Sequence, residues 1–296
     1  MPRQKRDISG WVILDKPYGM TSTQAVGKVR WLYGAAKAGH AGTLDPLATG
    51  ILPIALGEAT KTVAIVQSGS KRYRFDLTWG AATSTDDAEG AVVATSDVRP
   101  GEAQVRAMLP SFTGTILQRP PAYSAIKVDG ERAYDLARAG EAVELAERPV
   151  TIGELVLVSH SAGHSSFEMA CEKGTYVRSL ARDLAEALGT CGHVTALRRT
   201  VVGPFTEKNA VSIEAVETSD YRDALLTPVE SPLRTLPELP MTAADAVLLR
   251  NGGAVLLRGA DAPIQLTEAW ASCNGRAVAM GEVRAGQFHP SRVLKA

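Results

Sequence analysis

Cysteine is scarce in this 296-residue sequence, and its spacing excludes a disulfide framework. The three cysteines, Cys171, Cys191 and Cys273, form no Cys-x-x-Cys pair, and their number is odd. Histidine is also sparse, and the one pair four residues apart, His160 and His164, falls in a segment (SHSAGHSS) that we predict to be a loop, where a zinc site is not expected. These absences indicate a reduced, cytoplasmic protein without a bound metal.

Long apolar runs are missing as well. Runs such as Leu155–Val158 are far shorter than the roughly 20 residues that a membrane-spanning helix needs. The first ten residues, MPRQKRDISG, are basic but lack the apolar stretch of a secretory signal. We therefore expect no membrane association. The apolar content of 45% and the net charge of zero exclude a mainly disordered chain.

Charge is unevenly distributed along the chain. Residues 1–75 carry 11 Lys or Arg against four Asp or Glu, whereas residues 76–170 carry seven against 14. A basic leading quarter in a neutral chain is compatible with a face that binds a polyanion. It is equally compatible with a solvated basic tail, since Arg3, Lys5 and Arg6 supply three of the charges. Charge alone leaves nucleic-acid binding open.

The pattern of elements favours an α+β fold. Strands and helices alternate without the strict repeat of parallel βαβ units, which indicates a mixed sheet. Residues 71–79 alternate like a half-buried strand, and residues 175–188 have apolar side chains at helical spacing. A cluster of prolines then marks a boundary. We predict one domain over residues 1–236 and a small, strand-rich domain over residues 237–296.

The most unusual segment is GHAGTLDPLATG, at residues 39–50. Three glycines and a proline give it a tight path, and it places His40 five residues before Asp45. Such a loop can hold a carboxylate rigidly beside an imidazole at the wall of a groove. Asp-Pro is also a common way to begin a turn, so the segment alone does not decide between a site and a plain turn.

Five segments, in order, resemble the TruB-type tRNA pseudouridine synthases of bacteria. The segment around Asp45, GHAGTLDPLATGILPIALGEATK, resembles the catalytic segment of that family. The others are ILDKPYGMTS (13–22), KRYRFDLTWG (71–80), RPPAYSAIKVDGERAYDLAR (119–138) and CEKGTYVRSLARDLAEALGTCGHVTALRR (171–199). The combination of LDPLATG with KGTYxR is highly specific. The matches resemble the stand-alone bacterial type rather than its guide-RNA-dependent relatives.

The resemblance implies both a fold and a reaction. The fold is a mixed, mainly antiparallel sheet of the pseudouridine synthase type, followed by a β-rich domain similar to PUA RNA-binding domains. The reaction is isomerisation of uridine to pseudouridine at tRNA position 55, in the T-loop, after the base is flipped out of its stack. The base leaves ribose C1′ through N1 and rejoins it through C5. No cofactor or metal is needed, because nothing is oxidised, hydrolysed or passed between molecules.

The resemblance also implies three catalytic residues. Asp45 is the carboxylate that acts as a nucleophile or as an acid–base group. Arg178 pairs with Asp45 and keeps it ionised and aimed. Tyr73 stacks on the target uracil, with its hydroxyl placed to assist proton abstraction. Arg198 and Arg199 are candidates for contacts to phosphate or to the loop. The pattern alone favours an ordinary strand-core tyrosine at Tyr73, and it leaves open whether Arg178 is a functional residue or a surface arginine.

Four further residues are expected to bind the substrate. His40 takes the place of the flipped base in the RNA stack, and Tyr176 and Leu197 line the uracil pocket. Lys16 supports the catalytic loop or contacts a phosphate. Without the resemblance, the periodicity indicates only that Tyr176 and Leu197 belong to the core of a helix and a strand, and the two interpretations are compatible.

The expected partner is tRNA, bound through its T-arm. We expect a monomer with no obligatory protein partner. Two other functions stay open. An RNA-binding folding factor, with catalysis secondary, is favoured by the basic leading quarter and the C-terminal domain. A glycoside-type hydrolase is the other, although such enzymes commonly use two opposed carboxylates, and the motifs supply only Asp45.

Overall fold

The computed structural model describes residues 5–124, 127–128, 131–132 and 145–295. Much of the family motif at residues 119–138 lies outside these ranges, so that its predicted contribution is described only in part. Two sheets contain most of the described strands. The larger sheet holds ten strands and the smaller holds five, and two short hairpins stand apart from them.

The elements follow one another with short connections. The strands are β1 (Gly10–Lys16), β2 (Ala38–His40), β3 (Thr49–Leu56), β4 (Lys71–Trp79), β5 (Ala81–Thr83), β6 (Val92–Thr95), β7 (Gly114–Gln118), β8 (Lys127–Val128), β9 (Glu131–Arg132), β10 (Arg148–Ser161), β11 (His164–Cys171), β12 (Gly192–Val202), β13 (Phe205–Thr206), β14 (Val211–Ser212), β15 (Glu238–Pro240), β16 (Val255–Leu256), β17 (Leu266–Cys273), β18 (Arg276–Arg284) and β19 (Gln287–Val293).

The helices are short. The α-helices are α1 (Ser22–Tyr33), α2 (Val63–Ser68), α3 (Glu102–Met108), α4 (Val177–Ala187), α5 (Ile213–Thr218) and α6 (Ala243–Arg250). Single 3-10 turns span Gly57–Thr62, Leu109–Phe112, Glu207–Asn209, Arg222–Leu225 and Ser231–Thr235. Among the described residues, no helix has the length and apolar content that crossing a bilayer requires.

The large sheet is mixed and mainly antiparallel, which confirms the predicted fold class. Its strands run in the order β14-β1-β3-β12-β4-β11-β10-β7, with β2 added beside β3 and β13 beside β12. Within this sheet, the pairs of described strands are antiparallel except for β1–β14 and β3–β12, which are parallel. The parallel β3–β12 contact joins the strand that follows the Asp45 loop to the strand that carries Leu197.

The core forms where the apolar faces of sheet and helices meet. On β4, Phe75 and Leu77 are buried, while Arg72 and Arg74 on the opposite face are exposed, as the predicted alternation requires. Helix α4 buries a stripe that includes Leu180 and Leu184 against this side of the sheet. Burial of these side chains fixes the helix, and therefore its N-terminal turn, over the sheet.

The second sheet packs against the first part of the chain. Its order is β15-β17-β18-β19-β16, which confirms a β-rich C-terminal region. Leu233, Trp270 and Leu294 form a buried cluster that also contacts Ile65 of α2. Lys61 Nζ adds a hydrogen bond to Val293 O at 2.8 Å. Because all five strands of this sheet follow residue 237, we retain 1–236 and 237–296 as proposed domains.

One expectation about local structure is wrong. His160 and His164 do not lie in a loop: they belong to β10 and β11, which pair directly at Ser161 and His164. The strands extend this far because two residues, one of them Gly163, are enough to reverse the chain. His160 Nδ1 lies 2.8 Å from Oγ of the buried Ser165, which gives this histidine a structural partner.

Candidate active site

The site is built around Asp45, on the loop between β2 and β3. The Asp45 side chain is 35% exposed, and its Oδ2 lies 3.0 Å from Nη2 of Arg178. Arg178 is on the first turn of α4, and its side chain is only 5% exposed. The structure therefore brings together the two groups that the resemblance pairs. The carboxylate is accessible from solvent while its cationic partner is enclosed by protein.

Main-chain oxygens and a second carboxylate fix the orientation of Arg178. Nη1 donates to Thr85 O at 2.9 Å and Nη2 donates to Tyr123 O at 2.8 Å. Nε lies 3.5 Å from Oδ2 of Asp87, whose side chain is 3% exposed. Because the planar guanidinium is held at several donors at once, it presents Nη2 to Asp45 in one orientation.

The turn that supplies Asp87 is itself ordered by hydrogen bonds. Asp87 Oδ1 accepts from Thr85 Oγ1 at 2.5 Å and from the backbone N–H of Glu89 at 3.0 Å. The neighbouring Asp86 pairs with Arg182, one helical turn after Arg178, at 2.9 Å. Two adjacent carboxylates thus bind two arginines spaced i, i+4 on α4. This places the turn over the start of that helix.

Arg199 fixes the part of the Asp45 loop that precedes Asp45. This arginine on β12 is 2% exposed. Its guanidinium donates to Gly42 O at 3.0 Å, Thr43 O at 3.2 Å and Ile51 O at 2.8 Å. Close contact requires glycine at position 50, where φ is +95° and a Cβ would lie 2.2 Å from Arg199 O. Of its two expected roles, Arg199 makes the contact to the loop.

Lys16 holds the second half of the loop. Its side chain is fully buried, and Nζ donates to Pro17 O at 2.9 Å, Met20 O at 2.7 Å and Pro46 O at 3.3 Å. Burial lowers the pKa of Lys16 to about 8, although the nearby Asp45 acts in the opposite direction. Of the two roles expected for Lys16, the structure shows support of the loop. In this arrangement the ammonium has no exposed surface with which to contact a phosphate.

Ser22 fixes the residue immediately before Asp45. The buried hydroxyl of Ser22, at the start of α1, donates to Leu44 O at 2.9 Å and accepts from Leu44 N at 2.8 Å. Together with Lys16 and Arg199, it satisfies main-chain groups on both sides of Asp45. The loop is therefore rigid where it carries the carboxylate, and the side chain of Asp45 projects from a fixed backbone.

Tyr73 lies beside this arrangement on β4. Its register partner on β12 is Arg199, the arginine that donates hydrogen bonds to the Asp45 loop. Burial raises the pKa of Tyr73, and the nearby Arg199 cation only partly opposes this effect. The phenol therefore keeps its proton at neutral pH, and it can donate a hydrogen bond but is a poor base.

A cavity of about 210 Å³ adjoins the loop. Leu197, Leu47 and Phe75 contribute apolar lining, and Tyr18 stands at the rim with 68% of its surface exposed. Of the expected site residues, all of which are described, Leu197 and Arg198 line this cavity, whereas Asp45 and Tyr73 do not. The cavity borders the Asp45 loop at Leu47 and Thr49, and its volume is large enough for a planar ring.

His40 precedes the Asp45 loop, and Tyr176 precedes the helix that carries Arg178. His40 lies on β2, half-buried, where it pairs with Ile54 of β3. Burial, and to a smaller degree the charge of Arg199, lower the pKa of His40, so the ring is neutral at pH 7. Tyr176 is the N-cap residue of α4, two positions before Arg178, and it is half-buried.

Arg198 differs from its neighbour Arg199. It points to the outer face of the sheet, where both terminal nitrogens donate to the Asp15 carboxylate at 2.9 Å and Nε donates to Glu207 at 2.6 Å. Two carboxylates therefore already compensate its charge. Arg199 therefore contacts the loop, whereas Arg198 belongs to a local ion-pair network with Asp15 and Glu207.

Comparison with known proteins identifies the family of this chain. A model of the N-terminal domain of TruB family pseudouridylate synthases matches residues 30–177, and a model of the tRNA pseudouridylate synthase B C-terminal domain matches residues 178–234. The chain belongs to the TruB family. It is 55% identical to tRNA pseudouridine synthase B of Rhodopseudomonas palustris, over 99% of this chain and 82% of that protein. It is 52% identical to the protein of the same name from Dinoroseobacter shibae, over 100% and 99%.

Solved structures with lower identity share the TruB fold. One is a Cbf5-Nop10-Gar1 complex, to which this chain is similar with a TM-score of 0.74 and 24% identity, covering 97% of this chain and 84% of that chain. Another is an H/ACA RNP bound to a substrate RNA containing 2'-deoxyuridine, with a TM-score of 0.76 and 22% identity, covering 97% and 85%. At this identity the similarity describes the fold.

Sequence reasoning missed three residues of this TruB-family site. They are Ser22, Thr85 and Asp87, none of which stands out in the sequence as part of the site. One signal was available: two adjacent carboxylates, Asp86 and Asp87, together with two arginines at i, i+4 on a helix. Nothing in one sequence shows that the second carboxylate of the pair meets Arg178.

Proposed function

We propose that this TruB-family chain isomerises uridine to pseudouridine at position 55 in the T-loop of tRNA. The observation that carries the proposal is the exposed Asp45 carboxylate, paired at 3.0 Å with the enclosed guanidinium of Arg178. A carboxylate held in this way is directed toward the solvent side of the loop, where a flipped nucleotide can reach it. The names of the relatives at about half identity, tRNA pseudouridine synthase B, support the same substrate class.

The chemistry requires only groups that the site supplies. The bond from C1′ to N1 breaks, the base turns, a bond from C1′ to C5 forms, and the C5 proton is lost while N1 gains one. Asp45 can attack as a nucleophile or carry a proton, and both routes use the same orientation by Arg178. The low-dielectric wall around Arg178, which is 5% exposed, strengthens its hold on Asp45 during these steps.

The other expected residues have positions that suit substrate binding. We propose that Tyr73 packs on the uracil and donates its hydroxyl proton in a hydrogen bond, since its raised pKa disfavours the phenolate. Leu197, at the wall of the neighbouring cavity, limits where the base can turn. His40 is neutral and planar, which suits a ring that fills the gap left by the flipped base. Lys16 is retained as a support of the loop rather than as an RNA ligand.

We also propose that tRNA is engaged through its T-arm by the chain as a monomer, without an obligatory protein partner, in the cytoplasm where tRNA is matured. Recognition rests on the shape of the folded arm and on unstacked bases, as is usual for structured RNA. An RNA-folding role is compatible with this binding. It is separable if refolding of tRNA persists in a variant that no longer forms pseudouridine.

A hydrolytic alternative has one observation in its favour. Glu89 lies on the turn beside Asp87, and partial burial of its carboxyl group, followed by the charges of Asp87 and Asp45, raises its pKa. Glycoside hydrolases use a carboxylic acid with a raised pKa, placed opposite an ionised carboxylate. Asp87 cannot serve, because it is enclosed and occupied by Arg178. Release of free uracil distinguishes the two reactions.

The proposal is tested with an unmodified tRNA transcript. The purified protein is incubated with the transcript and with the same transcript carrying cytidine at position 55, and pseudouridine is mapped chemically along both. We expect modification at position 55 of the first and none in the second, with no free uracil in either. Modification at another uridine would show that the proposed position, 55, is wrong. Release of free uracil without pseudouridine would show that the protein is a hydrolase and not an isomerase.

A further inference from the structure

Gln118 and Arg148 form the last residue pair of the ladder between β7 and β10, at the edge of the large sheet. Both side chains reach Tyr176. Gln118 is 1% exposed, and Arg148 is half-buried. Residues directly opposite each other in an antiparallel pair project on the same face, so this ladder position delivers an amide and a guanidinium to one point. Neither Gln118 nor Arg148 is one of the three expected catalytic residues, Asp45, Tyr73 and Arg178.

Gln118 binds the main chain of Tyr176 at two atoms. Its Oε1 accepts from Tyr176 N at 2.8 Å, and its Nε2 donates to Tyr176 O at 3.1 Å. A side-chain amide used in this way imitates a neighbouring strand. Tyr176 is the N-cap of α4, yet no side chain of its own caps the helix. Gln118 therefore fixes the residue at which the helix begins, and Arg178 follows two residues later.

Arg148 contacts the aromatic ring of Tyr176. Its Cζ lies 5.3 Å from the centroid of the Tyr176 ring, and its Nη2 donates to Gly174 O at 2.9 Å. This is within the range of a cation–π contact. One face of the ring is thereby covered, and the rotation of the ring is limited.

The next residue extends the same support. Arg119 O accepts from Ser179 Oγ at 2.8 Å and from Arg182 Nη2 at 3.0 Å, both on α4. The segment after β7 thus follows the first turns of α4 as far as Tyr123, whose carbonyl accepts a hydrogen bond from Arg178. A shift of Gln118 would move the start of α4 relative to Asp45.

We propose that Gln118 and Arg148 are positioning residues for the isomerisation. Gln118 fixes the backbone of Tyr176 and, through the start of α4, the approach of Arg178 to Asp45, while Arg148 sets the plane of the Tyr176 ring. The inference rests on the proposed function, because it concerns the geometry of that reaction. Displacement of an active-site group by about 1 Å can cost on the order of 100-fold in rate, so their removal lowers the rate far more than tRNA binding.

Gln118→Glu gives a readout that a plain structural role does not produce. A neutral carboxylic acid accepts and donates as the amide does, whereas a carboxylate faces Tyr176 O without a proton to donate. Among the described residues, the charged groups on the surrounding segments are Arg148, Glu172, Lys173, Arg178, Arg182 and the Arg119–Glu147 pair, which lies at 3.5 Å. We expect the single-turnover rate of this variant, divided by that of the unaltered protein, to rise about tenfold as the pH falls from 8 to 5.5.

Gln118→Met removes both hydrogen bonds at nearly constant volume. We expect a rate loss of about 100-fold with a tRNA Kd within threefold. The matched control is Gln104→Met, because Gln104 also binds a helix-start N–H, that of Gly101 at 2.8 Å on α3. Its rate should stay within twofold of the unaltered protein. In the double variant Gln118→Met, Tyr176→Leu, the losses should be far less than multiplicative if Gln118 acts through Tyr176.

Arg148→Met is compared with Arg106→Met, which also loses an arginine donating to a carbonyl, Leu157 O at 3.3 Å, away from the site. We expect about a tenfold rate loss for the first variant and less than twofold for the second. The unaltered protein and Asp45→Asn are assayed in parallel. Failure of the unaltered protein to form pseudouridine refutes the proposed function. An active protein with normal Gln118→Met rates, or a rate ratio for Gln118→Glu that does not change with pH, refutes the positioning role alone.

Discussion

At the scale of single residues, the site is organised around one buried cation shared by two carboxylates of different exposure. Arg178 contacts Asp45, which solvent can reach, and Asp87, which it cannot. The enclosed carboxylate offsets the cost of burying the guanidinium, so the accessible one is free to react. The resemblance indicated the first contact, whereas the second emerged only from the fold.

Asp87→Asn tests this division of roles. The amide keeps the shape and can still accept from Thr85 and from the Glu89 backbone, but it removes the charge opposite Arg178 Nε. Loss of a charged hydrogen-bonding partner costs about 1.5–3 kcal/mol, so we expect a single-turnover rate about 10- to 100-fold lower. Asp97→Asn, at an exposed position, is the control and should leave the rate unchanged. Equal rates for both variants would show that Asp87 does not act on Arg178.

At the scale of elements, the catalytic loop depends on side chains from α1, β1 and β12 rather than on its own sequence. Ser22→Ala leaves both the N–H and the carbonyl of Leu44 without their partner. We expect the free energy of unfolding to fall by about 1–3 kcal/mol, because buried polar groups left unpaired are costly. Urea denaturation measures this. Ser68→Ala, which removes one exposed bond to Ile65 O, should change stability by less than half as much.

Lys16 gives the loop a pH dependence with a definite sign. Burial lowers its pKa from 10.5 to about 8 in the folded chain. Between pH 8 and 10.5 the unfolded chain therefore binds more protons than the folded chain, and the contribution of Lys16 to the free energy of unfolding rises with pH. In urea titrations from pH 8 to 10, the free energy of unfolding of the unaltered protein should rise relative to that of Lys16→Met. A constant difference would contradict the buried ammonium.

The elements that the sequence predicted well are those with a strong period. The alternating strand at 71–79 and the amphipathic helix near 175–188 occur almost as predicted, as β4 and α4. The contacts that orient Asp45 have no period, because Lys16, Arg178 and Arg199 all donate to main-chain carbonyls of distant loops. Every residue has a main-chain carbonyl, so the sequence does not show which carbonyl accepts such a hydrogen bond. Such contacts are invisible until the fold brings them together.

At the scale of the whole molecule, the structural units differ from the stretches that the family models match. The second model begins at residue 178, inside α4, yet β12, β13 and β14 that follow belong to the large sheet. The β-rich unit begins only after residue 237. Sequence patterns indicated that boundary through clustered prolines, but they gave no information about how the two sheets meet.

The contact between the two sheets should contribute to stability and not to chemistry. Leu233 is fully buried in the cluster with Trp270 and Leu294. Leu233→Ala should lower the free energy of unfolding by about 2–5 kcal/mol through lost burial and the cavity left behind. The isomerisation rate at 25 °C should stay within twofold of the unaltered protein. Leu256→Ala, at a side chain 57% exposed, is the control for stability. A large rate loss in the first variant would instead connect the C-terminal sheet with catalysis.

The most direct measurement of the central claim compares the unaltered protein with Asp45→Asn. Pseudouridine formation in a tRNA transcript is followed under single-turnover conditions, and the Kd for the same transcript is measured alongside it. We predict no detectable pseudouridine from the variant and a Kd within about tenfold, because binding is spread over many phosphate contacts. Pseudouridine formed by Asp45→Asn at a rate near that of the unaltered protein would contradict the account.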